Sequence, residues 1–253
     1  MTNQSILFDA GESVSIVTLN RPEVYNAIRR DELEELSRII EVLEGDRPRV
    51  VILTASSPGF CSGIDLKESR EATEGFARER CTLMHDVLHR LRNLPVPVIT
   101  AIDGVAAGLG CELAISGDLR IASPDSRLSY PEPKVAVPSP TFHLNQLIGL
   151  ARTQDMLLTA RWIGADEALR WGLITRIEKD PMTAARQLAD ELMTLSPISL
   201  ARTKENLYVG IERGERAATA HHIDHVARAA GTRDRAEALS AFAEKRQPEF
   251  EGR

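Results

Sequence analysis

Alternating apolar and polar residues over Ile6 to Asp9 and Val14 to Leu19 predict two short strands, ended by the turn Asn20-Arg21-Pro22. The period then changes. Leu33, Leu36, Ile39, Ile40 and Leu43 recur at spacings of three and four, which predicts a helix with one buried face, stopped by Gly45. Arg49 to Thr54 reads as a buried strand and Ser56 to Gly59 as a loop. The same order returns with a helical stripe of Cys81, Met84, Val87, Leu88, Leu91 and Leu94, then a strand over Val96 to Ile102 and a third near Leu119 to Ala122. The charged stretch Lys67 to Arg80 between them fits either a mobile loop or a solvated helix face. Past Leu147 the pattern is helical almost throughout, with Asp180-Pro181 and Ser196-Pro197 as helix starts. Strand, loop, helix and strand in repetition mean an α/β fold with functional loops gathered at strand ends.

Composition narrows the setting. The 253 residues are 43% hydrophobic, enough for one sizeable core, here assigned to 1–195 with a helical region over 196–253. Thirty-one basic against 37 acidic residues give a net charge of −6, and no basic stripe with interleaved aromatics marks a nucleic-acid partner. No apolar run approaches the roughly 18 residues of a membrane span, and the start lacks a secretory signal, so a cytoplasmic protein is expected. Cys61, Cys81 and Cys111 are scattered without metal spacing, which predicts reduced thiols, with Cys111 a small packing residue.

The candidate chemistry lies in two glutamates. Gly104-Val-Ala-Ala-Gly-Leu-Gly110 precedes the apolar run Cys111 to Ile115, so the glycines are expected to release the chain into a helix start. Such a start leaves N–H groups unpaired and partially positive, suited to a developing oxyanion, with Glu112 in the first turn beside them. Glu132 stands between Pro131 and Pro133, which predicts a stiff, extended backbone holding its carboxylate in place. Together they read as an acid/base pair. The glycine order G-x-x-x-G-x-G is not the dinucleotide G-x-G-x-x-G. His85/His89 and His221/His225 are spaced i, i+4, but no third ligand is evident in sequence, so no metal is expected. His143 reads as a helix-surface residue, with approach to the candidate site as the alternative, and Trp162 and Trp171 as core packing.

Over nearly its whole length the chain resembles the crotonase, or enoyl-CoA hydratase/isomerase, superfamily. The similarity is carried by Ile16 to Glu23 with Asn26-Ala27, Phe60 to Lys67, Asp103 to Asp118, Pro131-Glu132, Thr159 to Ile177 and the tail Phe242 to Arg253. The resemblance implies a spiral of ββα units with a helical C-terminal layer for oligomerisation as trimers or pairs of trimers. It implies an acyl-CoA thioester as substrate, no separate cofactor, and hydration of an enoyl-CoA by Glu112 and Glu132. By the same likeness the N–H groups of Ile64 and Leu109 form an oxyanion hole narrowed by their side chains. Ile64, Asp65, Leu66, Lys67 and Gly108 line the coenzyme channel, and Phe242 and Lys245 reach toward the adenosine phosphate of a neighbouring subunit. Two departures stand out: Val24-Tyr25 in place of basic residues, and Pro133 to Gln146 where relatives carry a glycine-rich run. The nearest rival is Δ3,Δ2-enoyl-CoA isomerisation, which can run on one glutamate, followed by a non-catalytic acyl-CoA-binding protein, in which a glutamate would be lost.

Overall fold

The computed structural model of the chain describes residues 4–70, 72–139 and 142–253. The first three residues, on which the expected chain start rests, lie outside that range, as do Glu71 of the charged stretch and Pro140 and Thr141 of the departing segment. β1 (Ile6–Asp9) pairs antiparallel with β2 (Val14–Leu19), and α1 (Arg30–Asp46) crosses over to β3 (Val50–Ala55), parallel to β2. α2 (Leu66–Ser69) and α3 (Glu74–Arg92) lead to β4 (Val98–Ile102), parallel to β3. The chain then leaves this sheet through β5 (Val105–Ala107) and α4 (Leu109–Ile115), and returns to it at β6 (Leu119–Ala122). β7 (Arg127–Ser129) joins β5, α5 (Phe142–Ile148) and α6 (Leu150–Thr159) follow, and β8 (Ile163–Gly164) pairs with β7. α7 (Ala165–Trp171), β9 (Arg176–Ile177) and α8 (Pro181–Met193) close the spiral, and α9 (Pro197–Arg213), α10 (Glu215–Ala229) and α11 (Arg233–Glu244) form the terminal layer. The main sheet has the order β1-β2-β3-β4-β6-β9 and the second β5-β7-β8.

The register explains the apolar runs. Ile16, Val50, Ile52, Ile99, Ala101 and Ile121 share one face, covered by Ala185, Leu188 and Ala189 of α8. Val17, Leu19, Val51, Leu53, Val98 and Ile102 point the other way, into a larger core with the stripes of α1 and α3. A sheet covered on both faces needs continuous apolar strands, as in Val50-Val-Ile-Leu53.

Local expectations fail where a neighbour decides. α1 ends on Arg47 in the left-handed conformation (φ 49°), two residues past Gly45, because the Arg47 N–H still reaches the Leu43 carbonyl. The charged stretch is helical from Glu74, and Cys81 is exposed while Arg80 is buried, its guanidinium on Glu68 at 2.8 Å. Trp162 is 43% exposed rather than in the core, and Trp171 is half-buried under the guanidinium groups of Arg152 and Arg161.

The terminal layer is pinned to the sheet by Lys204 of α9, whose Nζ lies 2.7 Å from Asp118 Oδ2 and 3.0 Å from the Val96 carbonyl. Burial pushes the Asp118 carboxyl up and the Lys204 ammonium down, so each ion relies on the other. Lys204→Met strands the carboxylate and should cost about 3 kcal/mol in urea unfolding. Adding Asp118→Asn should restore most of that loss, and a single variant as stable as the wild type would show that the pair holds nothing.

Candidate active site

The site is made where the loop after β3 lies against β5 and the start of α4. Cys61 N–H donates to the Val105 carbonyl at 2.9 Å and Ala107 N–H to the Cys61 carbonyl at 2.9 Å, a short parallel bridge outside the sheets. Asn26 holds the other side of this loop: its side chain donates to the Ser56 and Gly59 carbonyls and accepts from the Arg21 N–H, all within 2.8 Å. Ile64 follows, bridged to Ile28, since the Ile28 N–H donates to Gly63 and the Asp65 N–H to Ile28. A side-chain carbon at Gly63 would stand 2.7 Å from the Ala107 carbonyl oxygen and 3.6 Å from the Leu109 nitrogen, so the residue before Ile64 lies against the start of α4. Among the described residues neither N–H has a protein acceptor.

α4 starts as the glycines predict. Gly108 is its N-cap with φ 53°, and Glu112 sits in the first turn. A Cβ at Gly110 would come 2.1 Å from the Cys61 carbonyl oxygen, which excludes a side chain there, and one at Gly108, already disfavoured by its φ, would come 2.7 Å from Glu132 Oε1. Glu132 therefore hangs directly over the N-terminus of the helix that carries Glu112.

Its backbone differs from the extended one expected. Glu132 opens a 3-10 turn, Glu132–Val135, closed by Lys134 N–H on the Pro131 carbonyl at 2.9 Å and Val137 N–H on the Glu132 carbonyl at 3.1 Å. Proline is compatible with the first positions of such a turn, where no N–H is needed. Ser139 Oγ donates to Glu132 Oε2 at 3.2 Å, so the departing segment itself holds this carboxylate.

Glu112 is only 7% exposed. Burial, with the nearby Glu132 charge adding to it, pushes its carboxyl up to about 7, against the Tyr130 hydroxyl, which donates to Oε1 and favours the anion. Glu132, half-buried, is also raised, chiefly by burial. Both carboxyls are thus biased toward the neutral form, Glu112 the more deeply buried of the two. Tyr130 escaped the sequence reading, although an aromatic directly before Pro131-Glu132, in a chain with 4% aromatics, was the signal to follow.

The remaining expected residues separate. Leu66 and Lys67 are exposed at the first turn of α2 and Gly108 is buried beside the pair. Asp65 turns inward: its carboxylate accepts from the Lys67 N–H at 3.0 Å and from Arg21 at 3.3 Å, which fixes the loop. Phe242, 85% exposed, and Lys245 lie at the end of α11 and take no part in the contacts that assemble the pair. His143 is buried, not on the surface, with Nε2 2.9 Å from the Ile115 carbonyl; burial lowers it to about 4, so it is a neutral link from α5 to the end of α4. Burial pushes the Cys111 thiol well up, in keeping with packing.

Comparison with known proteins follows the same outline. The sequence profile described as enoyl-CoA hydratase/isomerase matches residues 9–253. A short-chain-enoyl-CoA hydratase of Clostridium acetobutylicum is 32% identical, with 98% of each chain covered. An (E)-benzylidenesuccinyl-CoA hydratase of Thauera aromatica is 35% identical, covering 98% of this chain and 99% of its own. The crystal structure of an enoyl-CoA hydratase from Bacillus anthracis superposes with a TM-score of 0.95 at 32% identity, over 99% of this chain and all of the other.

The Glu112 proton has a consequence for stability. Because its folded-state value lies above the ordinary carboxylate range, its contribution is complete at pH values below that range and is lost as pH rises through about 7. Glu112→Gln removes the titration and keeps an acceptor for Tyr130. The variant should therefore gain on the wild type by roughly 3 kcal/mol between pH 4.5 and 8 in denaturant unfolding. A difference independent of pH would place the ionised form at no disadvantage in the fold.

Proposed function

The chain belongs to the enoyl-CoA hydratase/isomerase family, and we propose that it adds water reversibly across the 2-trans double bond of an enoyl-CoA thioester, giving a 3-hydroxyacyl-CoA. The observation that carries this reading is the Glu132 carboxyl over the start of the helix whose first turn holds the buried Glu112; the Ile64 and Leu109 amides, without protein acceptors among the described residues, support it.

In this reading the thioester oxygen accepts from the N–H groups of Ile64 and Leu109. Such donors stabilise the enolate oxygen more than the ground-state carbonyl, each by about 3 kcal/mol. Withdrawal of charge makes C3 electrophilic. A water held between Glu112 and Glu132 loses one proton to a carboxylate as its oxygen bonds to C3, and the carboxylic acid delivers a proton to C2. One proton enters the pair and one leaves, so the pair returns to its singly protonated state, which the raised carboxyl of Glu112 favours at neutral pH. Tyr130 keeps the Glu112 carboxylate in one orientation. The side chains of Ile64 and Leu109 narrow the space at the acyl group, consistent with a short or compact one. Coenzyme A is part of the substrate, and the reaction asks for no further cofactor.

The assembly belongs to the same proposal: a trimer or pair of trimers in the cytoplasm. Leu207, Ile211, Ile223, Val226 and Leu239 of α9, α10 and α11 are exposed apolar residues in one terminal layer, which supports self-association there. Among the described residues no helix is long and apolar enough to cross a membrane.

Purified protein with crotonyl-CoA should show loss of the conjugated thioester absorbance. A 3-enoyl-CoA giving a gain of that band, with crotonyl-CoA inert, would replace hydration by isomerisation. Glu112→Gln and Glu132→Gln should each lower turnover by on the order of 10² or more. Tyr130→Phe should cost about tenfold in kcat, and because it removes an interaction favouring the anion, the limb of the pH–rate profile set by Glu112 should move to higher pH. An unmoved profile would separate Tyr130 from the chemistry.

A further inference from the structure

The helical spacing of His221 and His225 offers no third ligand in sequence, but the fold supplies one. Glu205 of α9 faces both rings across the α9–α10 hairpin, and one ligand atom from each of the three residues lies within 4.8 Å of the others. His221 Nδ1 stands 3.8 Å from Glu205 Oε1 and His225 Nε2 3.7 Å from Oε2. These gaps are too long for hydrogen bonds and slightly longer than the edge of a zinc tetrahedron, which is about 3.3 Å for bonds near 2.0 Å. Among the described residues His221 Nδ1 is moreover buried without a hydrogen-bond partner, a costly arrangement for a polar atom with nothing bound. The two rings stack at 5.3 Å with 28° between planes, His221 turning Nδ1 and His225 turning Nε2 toward Glu205.

We propose that Glu205, His221 and His225 form a binding site for a divalent zinc-like ion, with water in the fourth position, stapling α9 to α10. Two imidazoles and one carboxylate are a donor set suited to zinc rather than to calcium or magnesium, which prefer all-oxygen shells. The site belongs to the terminal layer, away from Glu112 and Glu132, so it acts on the stability of that layer and not on the reaction. Arg202 competes for it: its Nη1 lies 2.7 Å from Glu205 Oε2 and partly neutralises the carboxylate a metal would use.

The test is isothermal titration of Zn²⁺ into chelator-stripped full-length protein, with Tm measured in zinc and in EDTA. One ion per chain and a higher Tm in zinc are expected. His225→Ala and Glu205→Gln should each weaken binding by more than about 100-fold, beyond the roughly 10- to 100-fold that loss of an outer-shell partner costs. Arg202→Gln should tighten it, an effect that no loss of folding can imitate. Zinc binding of unchanged affinity in the His221→Ala/His225→Ala double variant, as from a surface site elsewhere, would overturn the proposal. So would the absence of saturable binding to a wild-type protein that is folded by circular dichroism.

Discussion

The site depends on how closely two backbones approach. Cys61 and the Ala106–Gly110 segment lie so near that a single Cβ at Gly110 would fall 2.1 Å from a carbonyl oxygen, which no local adjustment of a close-packed interior absorbs. That contact brings the loop carrying Ile64 beside the helix start carrying Leu109. Asn26 enforces it from outside, since one buried amide side chain satisfies three separate loop groups. The N-terminal Asn-Ala motif and the glycine-bearing turn, distant in sequence, are thus two sides of one constraint.

Burial then sets the chemistry. A carboxyl as enclosed as Glu112 is costly when ionised, and the fold offsets the cost with one neutral donor, Tyr130, rather than with a cation in direct contact. An arginine at that position would hold Glu112 ionised and pull its proton affinity far below neutrality. A neutral hydroxyl orients the carboxylate while leaving the Glu112 proton within reach of physiological pH.

Period and punctuation carried most of the fold. The alternation in β2 and β3 and the stripe of α1 are consequences of burial alone, so sequence displays them. Glu112 was legible because glycines announce a helix start. The conformation of Glu132 was not, because the proline rule describes an isolated dipeptide and here three turn hydrogen bonds outweigh it. Tyr130 and Glu205 were missed for a different reason: each matters through a partner brought close by tertiary structure, and no local pattern encodes that. His143 was misplaced by the same logic, its buried contact being with the far end of α4.

The two glutamates are held by unlike means. Glu112 is fixed by a helix within the core and by a buried hydroxyl, so its position is inherited from the fold. Glu132 is fixed by a four-residue turn that ends on the exposed Val135, with Val137 exposed beyond it, and by Ser139 a few residues on. Substitutions in Pro133 to Ser139 can therefore re-aim Glu132 without disturbing Glu112, Leu109 or the packing beneath them. A family that keeps one oxyanion-binding scaffold while varying proton transfer would vary it at this second carboxylate, where the structural cost of change is lowest.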